Sequence, residues 1–382
     1  MLNKLKKIDW GIVAILVCLM GISTVLVRSA THNNPLYHNY DVKTVAFYIA
    51  GFLVAITATV FDYRILLKSW YVLYGIGVAL LIAVFFFGAN INGASGWFKL
   101  PGGFLFQPAE IMKIIIIIGI AYIMGRRQGD RLTFIEDLLP IAAFAFLPFL
   151  LVMIQPDLGN AIIYIVIVLG MLWIGNVKYT HVLVGLTAVV AAVVLSISLF
   201  TMFNSEIETY LKDHHKEHWY KRINTFLDPS QASSDDKHQS ENAKIAIGSG
   251  GLSGDGYLKG DMINGKFIPY PYSDSIFVVI GEEFGFQGSA ILLLLYFLLI
   301  YRMILIAFRC YDNRAAFIVI GIASMYVFQI FQNIGMMIGL MPITGITLPF
   351  ISYGGTSLLL NMLCIGILFS INAHQEKYEL AE

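Results

Sequence analysis

Four polar stretches interrupt an otherwise apolar chain, and each holds residues able to do chemistry. In the first, Gln107-Pro108-Ala109-Glu110-Ile111-Met112-Lys113, Pro108 suits the opening turn of a helix. Glu110 sits where the helix dipole favours an acid. Glu110 and Lys113 are three apart, so they share a face and can pair. They form either a structural ion pair or the wall of a polar cavity that orients a substrate. In the second, Gln155-Pro156-Asp157-Leu158-Gly159-Asn160, Asp157 caps the following helix or joins a cavity beside another carboxylate. In the third, Tyr272-Ser273-Asp274-Ser275, Asp274 is again a cap or a functional acid at the membrane face. Glu282 and Glu283 follow, roughly 12 Å further along a helix, and need partners if they lie in the bilayer. The fourth runs from Gly335 to Gly355, where Pro342, Pro349 and several glycines break an apolar region. It is a plain loop or a re-entrant wall, because irregular backbone at membrane depth persists only inside protein or along a wet cavity.

The elements that must position these residues follow from composition. Of 382 residues, 58% are hydrophobic and 13% charged, with mean hydropathy +0.73. Soluble domains carry about 25% charge. The chain is therefore an all-α polytopic membrane protein. Lys plus Arg and Asp plus Glu both total 25, so charge gives no case for nucleic acid. Cys18, Cys310 and Cys364 lack metal-ligand spacing and read as small apolar residues. A span needs roughly 20 apolar residues. About ten transmembrane helices are expected, near 9–28, 44–61, 70–88, 107–125, 138–154, 159–175, 181–203, 274–308, 315–340 and 349–371. The first reads as a signal anchor, without a cleavage pattern. The fifth and sixth form a hairpin with a tight turn. The eighth, about 35 residues at about 1.5 Å each, exceeds a single perpendicular span. It must tilt, project, or break near Gly285-Phe286-Gln287-Gly288.

Basic residues orient the bundle. With the N-terminus in the cytoplasm, thirteen fall inside (Lys4, Lys6, Lys7, Arg64, Lys68, Arg126, Arg127, Arg131, Lys178, Arg302, Arg309, Arg314, Lys377) and three in short outer loops (Arg28, Lys43, Lys99). Both termini are then cytoplasmic, and all four polar stretches sit at outer helix ends. Residues 1–382 form one transmembrane domain, with 204–273 a large extracellular loop between the seventh and eighth helices. His214, His215 and His218 in that loop are flanked by Lys212 and Lys216, which would repel a metal. Ile245–Leu252 reads as an amphipathic piece folded at the membrane surface.

Taken in order, Gln107–Lys113, Gln155–Gly159, Ala246–Gly251, Asp274 with Ile280–Phe286, and Pro342–Gly345 through Leu348–Gly355 resemble the motifs of the SEDS family (shape, elongation, division and sporulation proteins). Phe331–Met336 looks closer to its rod-shape RodA branch than to FtsW. The resemblance spans the whole chain. It implies a peptidoglycan glycosyltransferase that polymerises lipid II into a lipid-linked glycan strand at the outer face of the bacterial cytoplasmic membrane. It also implies a class B penicillin-binding protein as partner, among other cell-elongation proteins. The acid matching Asp274 is then the essential carboxylate, Asp157 a second important acid, and Glu110 with Lys113 a buried pair. Trp97, Gln107, Ser352, Gly354 and Gly355 fall in motifs that line the family's cavity. The chain departs from the family in Pro269-Tyr270-Pro271-Tyr272-Ser273-Asp274-Ser275, which lacks the usual Glu and Phe. It also departs in Ala94-Ser95-Gly96-Trp97, where a basic pair is usual.

Joining a sugar hydroxyl to an anomeric carbon with loss of a lipid diphosphate is achieved by one inverting displacement. It calls for a general base, expected to be Asp274, and help for the leaving group. A divalent cation, Mg²⁺ or Mn²⁺, could supply that help, with Asp274 and Asp157 as oxygen ligands. Lys221 and Arg222 could hold phosphate or be solvated loop charges. Two other classes fit the same composition. A lipid II flippase or related transporter shares the buried charges and broken helices, and a non-catalytic scaffold would need no acid at position 274.

Overall fold

The computed structural model describes residues 7–37, 39–91, 94–99, 105–127, 130–213 and 234–375. Its helices, in order, are α1 (Trp10–Thr31), α2 (Tyr40–Val60), α3 (Tyr63–Lys68), α4 (Trp70–Phe87), α5 (Pro108–Met124), α6 (Leu139–Ile154), α7 (Leu158–Ile174), α8 (Tyr179–Met202), α9 (Asn204–Asp213), α10 (Ser234–Ser249), α11 (Asp261–Asn264), α12 (Ile276–Phe308), α13 (Asn313–Met337) and α14 (Gly355–Ala373). Among the described residues, eight helical segments are long and apolar enough to cross a bilayer. The 17-residue α7 and the 24-residue α8 occupy the other two positions where spans are expected. Lipid-facing side chains stay exposed and apolar, such as Phe86, Trp173 and Phe297, while α5 is buried over most of its length. That burial makes α5 the central post, packed against α4, α7 and α13.

Two features depart from the sequence reading. A small antiparallel sheet, β1 (Ala89–Ile91), β2 (Ala94–Lys99) and β3 (Leu105–Phe106), joins α4 to α5. Its strands are too short to register as a periodic pattern. The last helix begins at Gly355, not near 349, because residues 338–354 are irregular. The long loop is partly helical, and Ile245–Ser249 ends α10, packed on α12 and α13.

Of the three ways to fit its length, α12 takes the break, at Gly285. Gly285 adopts φ 61° and ψ −153°, a region open essentially to glycine alone. The backbone groups released at the break are taken up by the glycine-rich run after α10. Asp255 and Gly256 donate N–H bonds to the carbonyls of Glu282 and Glu283, and Phe286 and Gln287 donate to Gly251 and Leu252. Contact is close enough that a Cβ on Gly254 would lie 2.2 Å from the Glu283 carbonyl oxygen. Gly250 and Gly254 thus let a loop lie against a broken helix.

Residues 338–354 solve the same problem with side chains. Buried Asn333 donates to the carbonyls of Ile346 (2.7 Å) and Asp274 (2.8 Å), and Gln332 to that of Pro342 (3.2 Å). Ser23 donates to the Ile351 carbonyl at 2.7 Å, and the hydroxyls of Tyr48 and Tyr296 donate to those of Phe350 and Pro349. Donors from α1, α2, α12 and α13 therefore satisfy backbone that no helix or sheet serves.

Candidate active site

All four polar stretches meet at one end of the bundle. The opposite end gathers basic groups in contacts such as Arg302–Asp9 (3.5 Å) and Arg127–Asp137 (2.9 Å).

Asp157 ends the α6–α7 turn and caps α7, accepting the Asn160 N–H at 3.1 Å. Its other oxygen accepts Nε2 of Gln107 at 2.6 Å and Nδ2 of Asn160 at 2.8 Å. Three of a carboxylate's roughly four acceptor sites are filled. Burial pushes its carboxyl up from the usual range, opposed by the Asn160 bonds. One turn into α5, Lys113 pairs with Glu110 at 2.7 Å, the lysine fully buried. Both charges act on Asp157. Gly96 of β2 lies over Gln107 and Gln155, so the sheet roofs this cluster, with the half-buried Trp97 next to Gly96 on its central strand.

Asp274 lies in the turn that leads into α12, one residue before the cap position. Its backbone carbonyl is held by Asn333. Gly345, at φ 73°, faces its carboxylate, and a Cβ there would stand 3.9 Å from Oδ2. Burial pushes the Asp274 carboxyl up to about 6, against the pull of backbone N–H groups of its own turn, Ser275's among them. Ser352 ties this turn to the irregular segment, donating to the Ser273 carbonyl (2.6 Å) and accepting from Leu348 N–H (2.8 Å). Tyr353 N–H donates to the Tyr272 carbonyl at 2.8 Å. Gly354 caps α14, and Gly355 packs where a Cβ would strike the Phe47 ring.

Thr344–Ile346 links the two acids. Gly345 faces Asp274, while Ile346 and Thr344 pack on Gly159, two residues past Asp157. Asp274 meets backbone N–H groups of its own turn, whereas Asp157 gives three acceptor positions to the side chains and backbone of Gln107 and Asn160, which leaves it the poorer metal ligand. Among the described residues no group of three His, Cys, Asp or Glu side chains gathers. A Mg²⁺-type cation fits here only on Asp274 together with oxygens from water and a substrate diphosphate, since that ion is usually bound by one or two carboxylates plus phosphates. Lys221, Arg222 and the three histidines lie outside the described residues.

Some positioning residues carry no legible signal. Gln332 and Asn333 have no charge and no local motif that predicts their partners. Tyr37, Tyr40, Tyr272 and Tyr353 are scattered in sequence yet stack beside Asp274's turn, with ring centroids 4.1 Å apart for Tyr40–Tyr353 and 4.5 Å for Tyr37–Tyr272.

The model of the cell cycle protein family comprising FtsW, RodA and SpoVE matches residues 4–377. The chain belongs to this family. It is 35% identical over 312 residues to the peptidoglycan glycosyltransferase MrdB of Escherichia coli (strain K12), covering 80% of this chain and 78% of that protein. A chain from a peptidoglycan synthase complex, solved for its coordination of polymerization and crosslinking, superposes with TM-score 0.77 at 27% identity, covering 97% and 99% of the two chains. The rod shape determining protein RodA of Thermus thermophilus superposes with TM-score 0.69 at 26% identity, covering 97% and 98%. The motif resemblance found in the sequence holds for the chain as a whole.

Proposed function

We propose that this protein is a peptidoglycan glycosyltransferase that polymerises lipid II at the outer face of the cytoplasmic membrane. The observation that carries the reading is the placement of Asp274. Its carboxylate sits on a turn braced by Asn333 and Ser352, faces a glycine, and lies at the end of the bundle away from the basic loops. Activities of the matched relatives support the reaction class. Asp274 takes the proton from the attacking sugar hydroxyl as that oxygen bonds to the anomeric carbon of the second lipid-linked sugar. The bond to the diphosphate breaks on the opposite face, so configuration inverts. When bound, a divalent cation supplies neutralisation of the departing diphosphate. Glu110, Lys113, Gln107 and Asp157 hold the starts of α5 and α7 in register beside this centre. Work during cell elongation with a class B penicillin-binding protein is the role proposed by the resemblance to RodA and the likeness to a synthase complex.

Purified protein given lipid II and Mg²⁺ or Mn²⁺ is expected to yield glycan polymer, and Asp274→Asn to yield none while melting no lower than the parent. Normal polymerisation by a folded Asp274→Asn preparation would remove the base from the mechanism. Depletion in a rod-shaped host is expected to give round cells; filaments with blocked septa would instead assign the protein to division.

A further inference from the structure

Beside the site lies a cavity of about 310 Å³ that the reaction above does not use. One wall is the end of α1 and the chain after it, with Ser29, His32, Asn33 and Tyr37. The other runs through Asn264 to Tyr270. Two adjacent buried acids from the first half of α12 hold the walls. Glu283 accepts the Ser29 hydroxyl at 2.5 Å, and Glu282 accepts the N–H groups of Met262 (2.6 Å) and Ile263 (3.3 Å). Across the opening, Asn33 donates to Asn264 at 2.7 Å. Lys266 and Tyr270 on the second wall hold positive φ, 58° and 47°. Non-glycine residues keep that conformation only where their surroundings over-determine it, and such sites are often functional. The wall is built, and its shape is enforced from inside the protein.

We infer that this cavity is a saccharide subsite, separate from Asp274, that holds an uncharged sugar of the glycan strand. Its volume lies at the lower end of small-ligand pockets, about 300–1,000 Å³. Carboxamides and hydroxyls offer both donors and acceptors, as sugar hydroxyls require. Tyrosine rings offer flat apolar faces for a pyranose. The buried carboxylate of Glu283 directly behind Ser29 opposes a diphosphate, and the basic side chains on the lining are His32 and Lys266. The cavity also adjoins the reacting centre. Pro271 of its lining stands three residues before Asp274, and the Tyr270 and Tyr272 rings meet at 6.4 Å. The subsite therefore grips a sugar beyond the one that reacts. The inference takes the identity of its sugar from the proposed glycosyltransferase reaction, and its geometry from the cavity alone.

The test uses the full chain in detergent and the soluble probe chitotetraose, a β-1,4-linked N-acetylhexosamine oligomer, with pyrophosphate as competitor. Wild type and Asp274→Asn are expected to bind the probe equally. Asn33→Trp and Lys266→Trp, which place a bulky ring in the cavity from its two walls, are expected to weaken binding at least tenfold without changing the melting temperature. Both variants should still start chains but release products at least twofold shorter. Equal binding by all variants, absence of binding by wild type, or displacement of the probe by pyrophosphate would each overturn the subsite. If wild type makes no polymer yet binding follows the expected pattern, the subsite stands and the proposed reaction falls.

Discussion

Asp157 and Asp274 look alike in sequence, each just ahead of a helix, but their surroundings assign them different work. Asp157 gives three acceptor positions to Gln107 and Asn160. Asp274 keeps a carboxylate facing Gly345 and titrates near 6 because burial disfavours its charge. A base must be ionised, so the sign is fixed: polymerisation should fall as pH drops through about 6, with one proton taken up. A rate flat from pH 7 to pH 5 in folded protein would disconnect this carboxyl from the rate. The same protonation acts oppositely on stability. The folded carboxyl binds its proton more tightly than an unfolded one, so its ionisation opposes folding above about 6. The Glu110–Lys113 pair makes a separate prediction. Lys113→Met leaves Glu110 charged without its partner, which costs about 3–5 kcal/mol for a buried pair. A large drop in melting temperature is expected, with partial recovery in Glu110→Gln/Lys113→Met. The pair was legible because i, i+3 spacing is local. Gln107 as a partner of Asp157 and Asn333 as a partner of Asp274 were not, because they lie 50 and 59 residues away.

Span positions followed from apolar runs, and the excess length of α12 pointed to its break. What the runs could not show is how broken backbone is satisfied, since that depends on which segments meet. Gly250, Gly251 and Gly254 answer it for α12, and Ser23, Asn333, Gln332 and two tyrosines for residues 338–354. Gly285→Ala tests the first solution. Its Cβ would lie 2.6 Å from Gly254 N and 2.8 Å from the Gly250 carbonyl oxygen, in a conformation only glycine adopts freely. Strain alone costs about 1–3 kcal/mol, and the clash adds to it. We expect Gly285→Ala to lower the melting temperature in detergent and to expose residues 250–256 to protease, whereas Gly248→Ala, with open space at its Cβ, should be tolerated. Equal behaviour of the two variants would show that loop and helix break are not coupled.

The whole bundle separates two kinds of polarity, and that separation decides which compartment the site serves. Arg64, Arg127, Arg302 and Arg314 gather at the end where α1 begins and α14 finishes. Asp157, Asp274, the tyrosine stack and the saccharide cavity gather at the other. Basic loops are retained in the cytoplasm, so the site end should face outward, where a lipid-linked sugar polymer can grow without crossing the bilayer. Single cysteines placed on a background of Cys18→Ser, Cys310→Ser and Cys364→Ala give the measurement. Lys266→Cys, exposed beside the cavity, should react with a membrane-impermeant maleimide in intact spheroplasts. Lys68→Cys, exposed at the last residue of α3, should react only after lysis. The reverse pattern would put Asp274 in the cytoplasm, where its base could not serve polymer outside, and the buried acids would then have to be explained by a cytoplasmic substrate.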